Sequence, residues 1–295
     1  MKNRVVAGYV LFMFAAMGVT PFVPARQSEN YASIMIFALG FAAIFCQKVL
    51  HKEKFLDMGF RLNRNAVLGV LTGLLFTGVM LAFFFWLPLE LGWVRVTPNL
   101  DMQAELKELP LGVAAVVVMI FGTLLMLPAG LFGEELAFRG YLLPKLEQRF
   151  GALTAILLNA VIFGLWHLPA YYSIYRGGAA DQGAGAVALM LLAHGVSVIP
   201  VCILYLTTRE LYGVSIYHCL VDVFQYTVVG SPELGEAAKF ALYQSETINK
   251  PAADALGWAG QLLSIALMLG LCWIIKRWVK RAVPAAAADA APVEA

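Results

Sequence analysis

Three groups of ionisable residues lie inside otherwise apolar stretches of this chain. The first is Glu134-Glu135 followed by Arg139. Glu135 and Arg139 are four residues apart, which places them on one face of an α-helix in the order that favours an ion pair. Glu134 points roughly 140° away from Arg139 at about 100° per residue. The arginine can therefore neutralise one carboxylate and leave Glu134 to act as a general base. The alternative is an ion cluster at a helix end on the cytoplasmic interface.

The second and third groups are centred on histidines. His167 follows Phe163 at the end of an apolar run, and a lone membrane histidine is more often a structural hydrogen-bonding residue. His218 and Asp222 are four residues apart and share one helix face. Asp222 can orient His218 for proton transfer. The alternative for this pair is a buried polar contact between helices.

Two further histidines have no such partners in the sequence. His194 lies in an apolar stretch with no ionisable partner at helical spacing, so we predict a structural role for it. His51 lies in a basic loop, where we predict a solvated surface residue.

A helical hairpin would bring the first two groups to the same depth. If Gly151 marks its turn, Glu134 lies 17 residues before the turn and His167 lies 16 after it. At about 1.5 Å per residue both are roughly 24–26 Å from the turn along antiparallel helices. Pro128 and the two glycines after it predict a kink or break before the glutamates, which would open a cavity to water.

The composition is that of an integral membrane protein. Of the 295 residues 61% are hydrophobic and 14% charged, and the mean hydropathy is +0.76. Soluble domains are about 45–50% apolar and about 25% charged. These values exclude an ordinary cytosolic enzyme, and the net charge of +2 gives no indication of a nucleic-acid partner. The four cysteines lie singly, without the CxxC spacing that would indicate a disulfide framework or a thiolate metal site.

We predict an all-α polytopic protein of about eight transmembrane helices around an intramembrane catalytic cavity. A span needs about 20 mostly apolar residues. The predicted spans are residues 5–24, 31–48, 66–90, 111–133, 152–169, 187–207, 212–230 and 256–275. The first is predicted to be a retained span and not a signal peptide, because it is long for one and seven more spans come after it. No internal repeat is visible, so an inverted-repeat transporter is not supported.

Basic residues in the connections predict that both termini are cytoplasmic. With the N-terminus inside, the cytoplasmic segments hold fourteen of the 21 basic residues: Lys2, Arg4, Lys48, Lys52, Lys54, Arg61, Arg64, Lys145, Arg149, Arg209, Lys276, Arg277, Lys280 and Arg281. The outside segments hold six: Arg26, Arg95, Lys107, Arg176, Lys239 and Lys250. Short loops, basic inside segments and an Ala-rich tail favour a bacterial inner membrane.

The three groups, in this order, resemble the CPBP or Abi family of CAAX prenyl endopeptidases and bacteriocin-processing enzymes. The family signature reads EExxxR, then FxxxH, then HxxxN or HxxxD. The triplet Phe138-Arg139-Gly140 and the adjoining Tyr-Leu-Leu also match the sequence that is usual at this place in the family. The resemblance covers about residues 111–230. It implies an intramembrane endopeptidase that hydrolyses peptide bonds of membrane-associated or CAAX-like substrates.

The resemblance also implies a role for each residue of the first two groups. In the family the first glutamate and the FxxxH histidine activate a water that attacks the peptide carbonyl. Here those residues are Glu134 and His167, with Glu135 and Arg139 supporting Glu134.

The third group is implied to face the oxyanion, and here the chain departs from the HxxxN form. An asparagine can donate a hydrogen bond to an oxyanion, whereas an ionised aspartate cannot. Either Asp222 is protonated, or it only orients His218 and leaves His218 as the main donor.

The resemblance divides the chain into four parts. Residues 1–110 hold the first three spans, and residues 111–230 hold the protease core of spans four to seven. Residues 231–283 hold an outside loop, predicted to be partly helical, and the last span. Residues 284–295 form an Ala-rich tail that is predicted to be disordered.

Other functions remain open from the sequence. A zinc site could use Glu134, His167 and His218, since two histidines and a carboxylate form several catalytic zinc sites. There is no HExxH, and these residues come from separate spans, so we expect no cofactor. A proton relay, a bacteriocin-immunity protein or a scaffold could retain the same residues. The expected partners are membrane lipids and a peptide or protein with a membrane-embedded or lipidated segment, with no nucleic acid. Nothing in the sequence selects a prenylated substrate.

Overall fold

The fold is a bundle of helices with one small sheet. The computed structural model describes residues 2–19, 22–23, 25–106, 109–169, 183–230 and 241–282. The α-helices are α1 (Lys2–Gly18), α2 (Ala25–Phe45), α3 (Arg64–Leu81), α4 (Leu87–Glu90), α5 (Leu100–Leu106), α6 (Leu111–Ala129), α7 (Leu143–Phe150), α8 (Ala152–Trp166), α9 (Ala184–Ser197), α10 (Ile199–Thr208), α11 (Tyr212–Val223) and α12 (Lys250–Ala282). The π-helical segments are Cys46–Leu50, Ala82–Trp86, Gly130–Glu134, Leu136–Leu142 and Phe224–Val228, and a 3₁₀ turn covers Phe55–Met58.

Five helical stretches in the described part of the chain are long and apolar enough to cross a membrane. They are Ser33–Leu50, Arg64–Glu90, Leu111–Glu134, Ala184–Thr208 and Lys250–Ile275, with shorter apolar helices at Asn3–Gly18 and Ala152–Trp166. The predicted class, an all-α polytopic membrane protein, is confirmed, but the count of eight is not. The predicted span 212–230 is the 12-residue helix α11, then a π-helical segment and a short strand.

The chain does not break before the glutamates. Pro128 lies inside α6, and the helix runs on through two π-helical segments, Gly130–Glu134 and Leu136–Leu142, into α7. Of the two predicted forms, the break is therefore wrong, and the kink stays a prediction. The backbone takes up the irregularity by widening two successive turns, and such π-helical turns occur frequently at functional sites.

The predicted hairpin turn at Gly151 is confirmed. Gly151 ends α7 and precedes α8 with φ +79°, a conformation that favours glycine. Beyond the turn, the Phe138 ring lies 4.9 Å from that of Phe163 and 5.5 Å from that of Trp166. The π-helical segment Leu136–Leu142 therefore packs against the C-terminal half of α8.

Backbone contacts between glycines fix the position of α11. A Cβ atom on Gly73 would lie 2.4 Å from the carbonyl oxygen of Gly213, and one on Gly213 would lie 2.2 Å from that of Gly69. A Cβ atom on Gly130 would lie 2.7 Å from Cys219 Sγ, so α11 also packs closely on the first π-helical segment. Small residues that let helix backbones touch are a usual means of helix packing in membranes.

A buried carboxylate holds the start of α11. Glu210 is 1% exposed, and its Oε2 accepts a hydrogen bond from the Gly213 amide at 2.9 Å. Thr208 donates to the other carboxylate oxygen at 3.2 Å. Burial raises the pKa of Glu210 to about 7, although these hydrogen bonds act in the opposite direction. Since α11 carries the third group of ionisable residues, this loop helps to position the candidate site.

A three-stranded sheet was not expected from the sequence. It consists of β1 (Val94–Pro98), β2 (Val229–Gly230) and β3 (Tyr243–Thr247) in the order β1-β3-β2. β1 pairs antiparallel with β3, and β2 pairs parallel with it. The described part of the predicted outside loop thus begins with a strand and becomes helical only at Lys250. Residues 231–240 and the predicted disordered tail, 284–295, lie outside the described residues.

The prediction that His51 is a solvated surface residue is wrong. His51 is 6% exposed, and its Nε2 lies 3.0 Å from the hydroxyl oxygen of Tyr141. The π-helical segment Cys46–Leu50 leads directly into His51 and turns it towards the helix that carries Arg139. Charged neighbours in the sequence indicated exposure, but the side chain itself points inward.

We expect an impermeant thiol reagent to distinguish the two faces of the membrane. In a variant without the four native cysteines, which are all buried, Gln103→Cys should react in intact cells, because its connection is predicted to lie outside. Arg64→Cys should react only after the cells are permeabilised. Both positions are exposed, so access to the reagent alone decides the result. The reverse labelling pattern would contradict the predicted orientation.

Candidate functional site

His218 lies among three carboxylates. Its Nδ1 is 2.7 Å from Glu135 Oε1, and its Nε2 is 3.3 Å from Asp222 Oδ2 and 3.7 Å from Glu134 Oε2. Ionised carboxylate oxygens only accept hydrogen bonds, so both ring nitrogens donate when these groups are ionised. The geometry therefore favours an imidazolium that bridges α11 and the helix of the glutamates.

A buried ion pair supports this histidine from behind. Arg139 Nη1 lies 3.2 Å from Glu135 Oε1, and both side chains are 1% exposed. The predicted pair is thus present, although the segment that joins its members is π-helical. The same carboxylate oxygen also accepts the hydrogen bond from His218. Removing one member of such a pair leaves an uncompensated charge in an apolar interior.

The two neighbouring glutamates have different surroundings. Glu135 is 1% exposed and accepts hydrogen bonds from two cationic groups, whereas the Glu134 side chain is 13% exposed. Glu134 lies 3.7 Å from His218 Nε2, which is beyond hydrogen-bond distance. Two cations and three carboxylates meet here, so one negative charge is left without a full partner. Glu134 is the carboxylate that is least engaged.

His167 lies beside this cluster and is joined to it through Phe163. Its Nδ1 donates to the Phe163 carbonyl oxygen at 2.8 Å, which leaves Nε2 as a hydrogen-bond acceptor. The Arg139 guanidinium carbon lies 4.5 Å from the centre of the Phe163 ring, a cation–π distance. Among the described residues, no hydrogen bond joins His167 directly to Glu134. The phenylalanine of FxxxH thus packs between the ion pair and the histidine.

The structure brings five predicted site residues into one network of contacts and places the sixth, His167, next to it. The five are Glu134, Glu135, Arg139, His218 and Asp222.

Two polar residues near the site were not predicted to belong to it. His194 lies with its ring centre 4.8 Å from that of His167. Asn159 is fully buried and donates from Nδ2 to the Phe138 carbonyl oxygen at 3.0 Å, within the π-helical segment. The sequence does contain a signal for Asn159, because a polar residue inside an apolar span needs a partner. His194 has its contact on another helix, so spacing along the chain could not reveal it.

The residues suggested for zinc do not fit a metal ion. His218 directs both of its ring nitrogens at carboxylates, so neither presents a lone pair in this arrangement. Although His218 and three carboxylates lie close together, no group of three or more His, Cys, Asp or Glu side chains in the described part of the chain is arranged to hold a metal ion. The donor set formed by Glu134, His167 and His218 is therefore not a ligand cluster.

The middle of the chain matches a known family. Residues 112–224 match the family model described as type II CAAX prenyl endopeptidase Rce1-like. This stretch contains all three groups of ionisable residues, from Glu134 to Asp222, and the resemblance predicted from the sequence is confirmed. A comparison with curated proteins found no match. Residues 112–224 therefore form a domain that is similar to the Rce1-like, type II CAAX prenyl endopeptidases of the CPBP family.

Proposed function

We propose that this protein is an intramembrane endopeptidase that hydrolyses a peptide bond with a water activated by Glu134 and His167. The observation that carries the proposal is the position of His218 among three carboxylates, inside the domain that matches an endopeptidase family. The substrate is a peptide or protein with a membrane-embedded or lipidated segment, of which a CAAX-like tail is one kind.

Glu134 has the surroundings of a general base. It is the most weakly engaged of the three carboxylates that face His218, and it is the more exposed of the two glutamates. Its carboxylate takes a proton from water as the water oxygen bonds to the peptide carbonyl carbon. The second hydrogen of the water stays on its oxygen and forms a hydrogen bond to His167 Nε2. When the carbon–nitrogen bond breaks, the proton passes from Glu134 to the leaving amine.

His218 has the surroundings of an oxyanion donor. Its Nδ1 is held at 2.7 Å by Glu135, whereas its Nε2 contacts, at 3.3 and 3.7 Å, are longer than the usual charge-assisted bond of about 2.7–2.9 Å. The ring is thus fixed along one edge, and the single donor on the other edge makes only long contacts, which it can share with an oxyanion. In this geometry Asp222 accepts from His218, which supports the orienting role over direct donation.

The proposal includes the setting in which the enzyme works. The protein lies among lipids in a bacterial inner membrane with both termini in the cytoplasm, and it uses no metal ion. The basic residues of the predicted cytoplasmic segments support the orientation. The hydrogen bonds of His218 support catalysis without a metal, because they occupy the atoms that would bind it.

Glu134→Gln should lower kcat by about 10²–10⁴-fold, the usual contribution of a general base. The measurement is cleavage, in proteoliposomes, of an internally quenched peptide that ends in prenylated cysteine and three further residues, with the unprenylated peptide in parallel. Glu105→Gln is the control, because Glu105 is exposed and lies outside the site. Near-normal turnover by Glu134→Gln would exclude Glu134 as the base.

Glu135→Gln should act differently from Glu134→Gln, which makes it a useful comparison. It leaves buried Arg139 without its counter-ion, so the free energy of unfolding in detergent should fall by about 3–5 kcal/mol. The cleavage activity should fall as well. Glu134→Gln should leave the unfolding free energy nearly unchanged, because Glu134 has no such partner.

Substitutions of Asp222 should separate its two candidate roles. If an ionised Asp222 orients His218, Asp222→Asn should be much less active than the native protein, because an amide cannot stabilise an imidazolium. If a protonated Asp222 donates to the oxyanion, Asp222→Asn should retain most activity and Asp222→Ala should lose about 10²–10³-fold. We expect the first result in kcat measured across pH. An unchanged kcat for Asp222→Ala would remove Asp222 from the site.

Chelation should not abolish cleavage. We expect purified active protein to contain no stoichiometric zinc and to retain its activity after dialysis against a strong chelator. Metal content is measured on the same preparation that is assayed. Stoichiometric zinc, with activity lost on its removal and regained on its addition, would overturn catalysis without a metal.

A further inference from the structure

We propose that Asn159 is a positioning residue of the reaction site, which stabilises the widened turn that carries Arg139. The inference rests on the proposed function, because the groups that this turn positions, the Glu135–Arg139 pair and through it His218, are those of the proposed reaction. Asn159 lies on α8 and is fully buried. It makes its hydrogen bond to the backbone of the π-helical segment, at Phe138, and not to a reacting group.

Two hydrogen bonds fix the Asn159 amide in one orientation. Its Nδ2 donates to the Phe138 carbonyl oxygen at 3.0 Å, and its Oδ1 accepts from Cys202 Sγ at 3.3 Å. A carbonyl oxygen only accepts, so turning the amide over would place two acceptors against each other. Cys202 is fully buried on α10. One side chain thus joins α8, α10 and the π-helical segment through both of its polar ends.

The amide bonds to a carbonyl whose backbone partner depends on the width of the turn. The Phe138 carbonyl oxygen accepts from the Leu143 amide, five residues further on. In an α-helix it would accept from Leu142, four residues further on. Such π-helical turns are rare, so the wider form needs support from its surroundings. A second donor, which comes from α8 and occupies the other lone pair of this oxygen, gives that support.

The turn leads from Phe138 to the edge of His218 through contacts of known length. Phe138 lies three residues after Glu135 and directly before Arg139. Arg139 Nη1 is 3.2 Å from Glu135 Oε1, and the same oxygen is 2.7 Å from His218 Nδ1. A narrower turn would move the guanidinium relative to the carboxylate and with it the ring that the carboxylate holds. Misplacement by about 1 Å can cost on the order of 10²-fold in rate.

The fold does not depend on the Asn159 amide alone. The Phe138 ring lies 4.9 Å from that of Phe163 and 5.5 Å from that of Trp166, so aromatic contacts also hold α8 against the segment. Without the amide, the Phe138 carbonyl oxygen keeps its bond from Leu143. Removing the amide should therefore leave a folded protein, in which the position of the ion pair has changed.

The first test is Asn159→Leu, assayed on the prenylated, internally quenched peptide in proteoliposomes. Leucine has a similar volume but no donor, so kcat per folded molecule should fall about tenfold or more with little change in KM. Met268→Ala is the control, because Met268 is fully buried on α12, which carries none of the site residues. It leaves a cavity and should lower thermal stability while kcat stays native. Lower thermal stability with native kcat in Asn159→Leu would overturn the proposal.

The second test is a double-mutant cycle on kcat with Arg139→Lys. Lysine keeps the positive charge but loses the planar group that pairs with Glu135. If Asn159 acts through the position of Arg139, adding Asn159→Leu to Arg139→Lys should lower kcat by less than about threefold, because the geometry that it supports is already lost. A residue with only a structural role would cost the same factor in both backgrounds, and equal factors would contradict the proposal.

Glu134→Gln, assayed in parallel, separates failure of this inference from failure of the proposed function. If Glu134→Gln is inactive and Asn159→Leu has native kcat, the peptidase assignment stands and Asn159 has only a structural role. If Glu134→Gln cleaves normally, the proposed mechanism fails and the inference fails with it. Loss of kcat in both variants, with native kcat in Met268→Ala, supports both.

Discussion

A carboxylate and a guanidinium that are each 1% exposed can be buried in an apolar bundle only as partners, because each alone would lose its hydration without compensation. Glu135 and Arg139 meet this condition. Their pairing makes Glu135 a fixed anion, and the fixed anion in turn binds one edge of His218. The position of His218 determines which carboxylates share its other nitrogen and leaves Glu134 as the weakly engaged one. The chemistry proposed for Glu134 therefore depends on a contact that Glu134 does not make.

The helices bring these groups together through contacts between small residues. α11 touches α3 at the backbone of Gly213, and α9 touches α8 at Gly164 and Gly195. In a lipid environment apolar burial does little to drive one helix against another, so close backbone packing is what fixes the distances. The same kind of contact thus positions His218 and brings the ring of His194 beside that of His167.

Local spacing predicted the features that lie on a single helix or hairpin. The Glu135–Arg139 pair and the turn at Gly151 were predictable because each depends on residues a few positions apart, and the membrane class could be predicted from composition. Contacts between elements were not predictable in this way. His51 was expected in solvent and is buried, His194 has its neighbour on another helix, and three short strands form a sheet from distant segments. The motifs predicted which residues belong near the site, and the packing of helices determines how they meet.

The widened turns at Leu136–Leu142 make the site sensitive to the length of the chain. A π-helical turn holds one residue more than an α-helical turn, so deleting a single residue there would let the segment close into an ordinary helix. The residues before and after that turn would keep their relative faces, because the turn absorbs the extra residue, whereas the residues within it would shift. A deletion between Glu135 and Arg139 would leave the stretch long and apolar enough to cross a membrane but would place the two members of the ion pair three residues apart. The position of the pair beside His218 would change, which makes the count of residues in one turn as decisive as their identity.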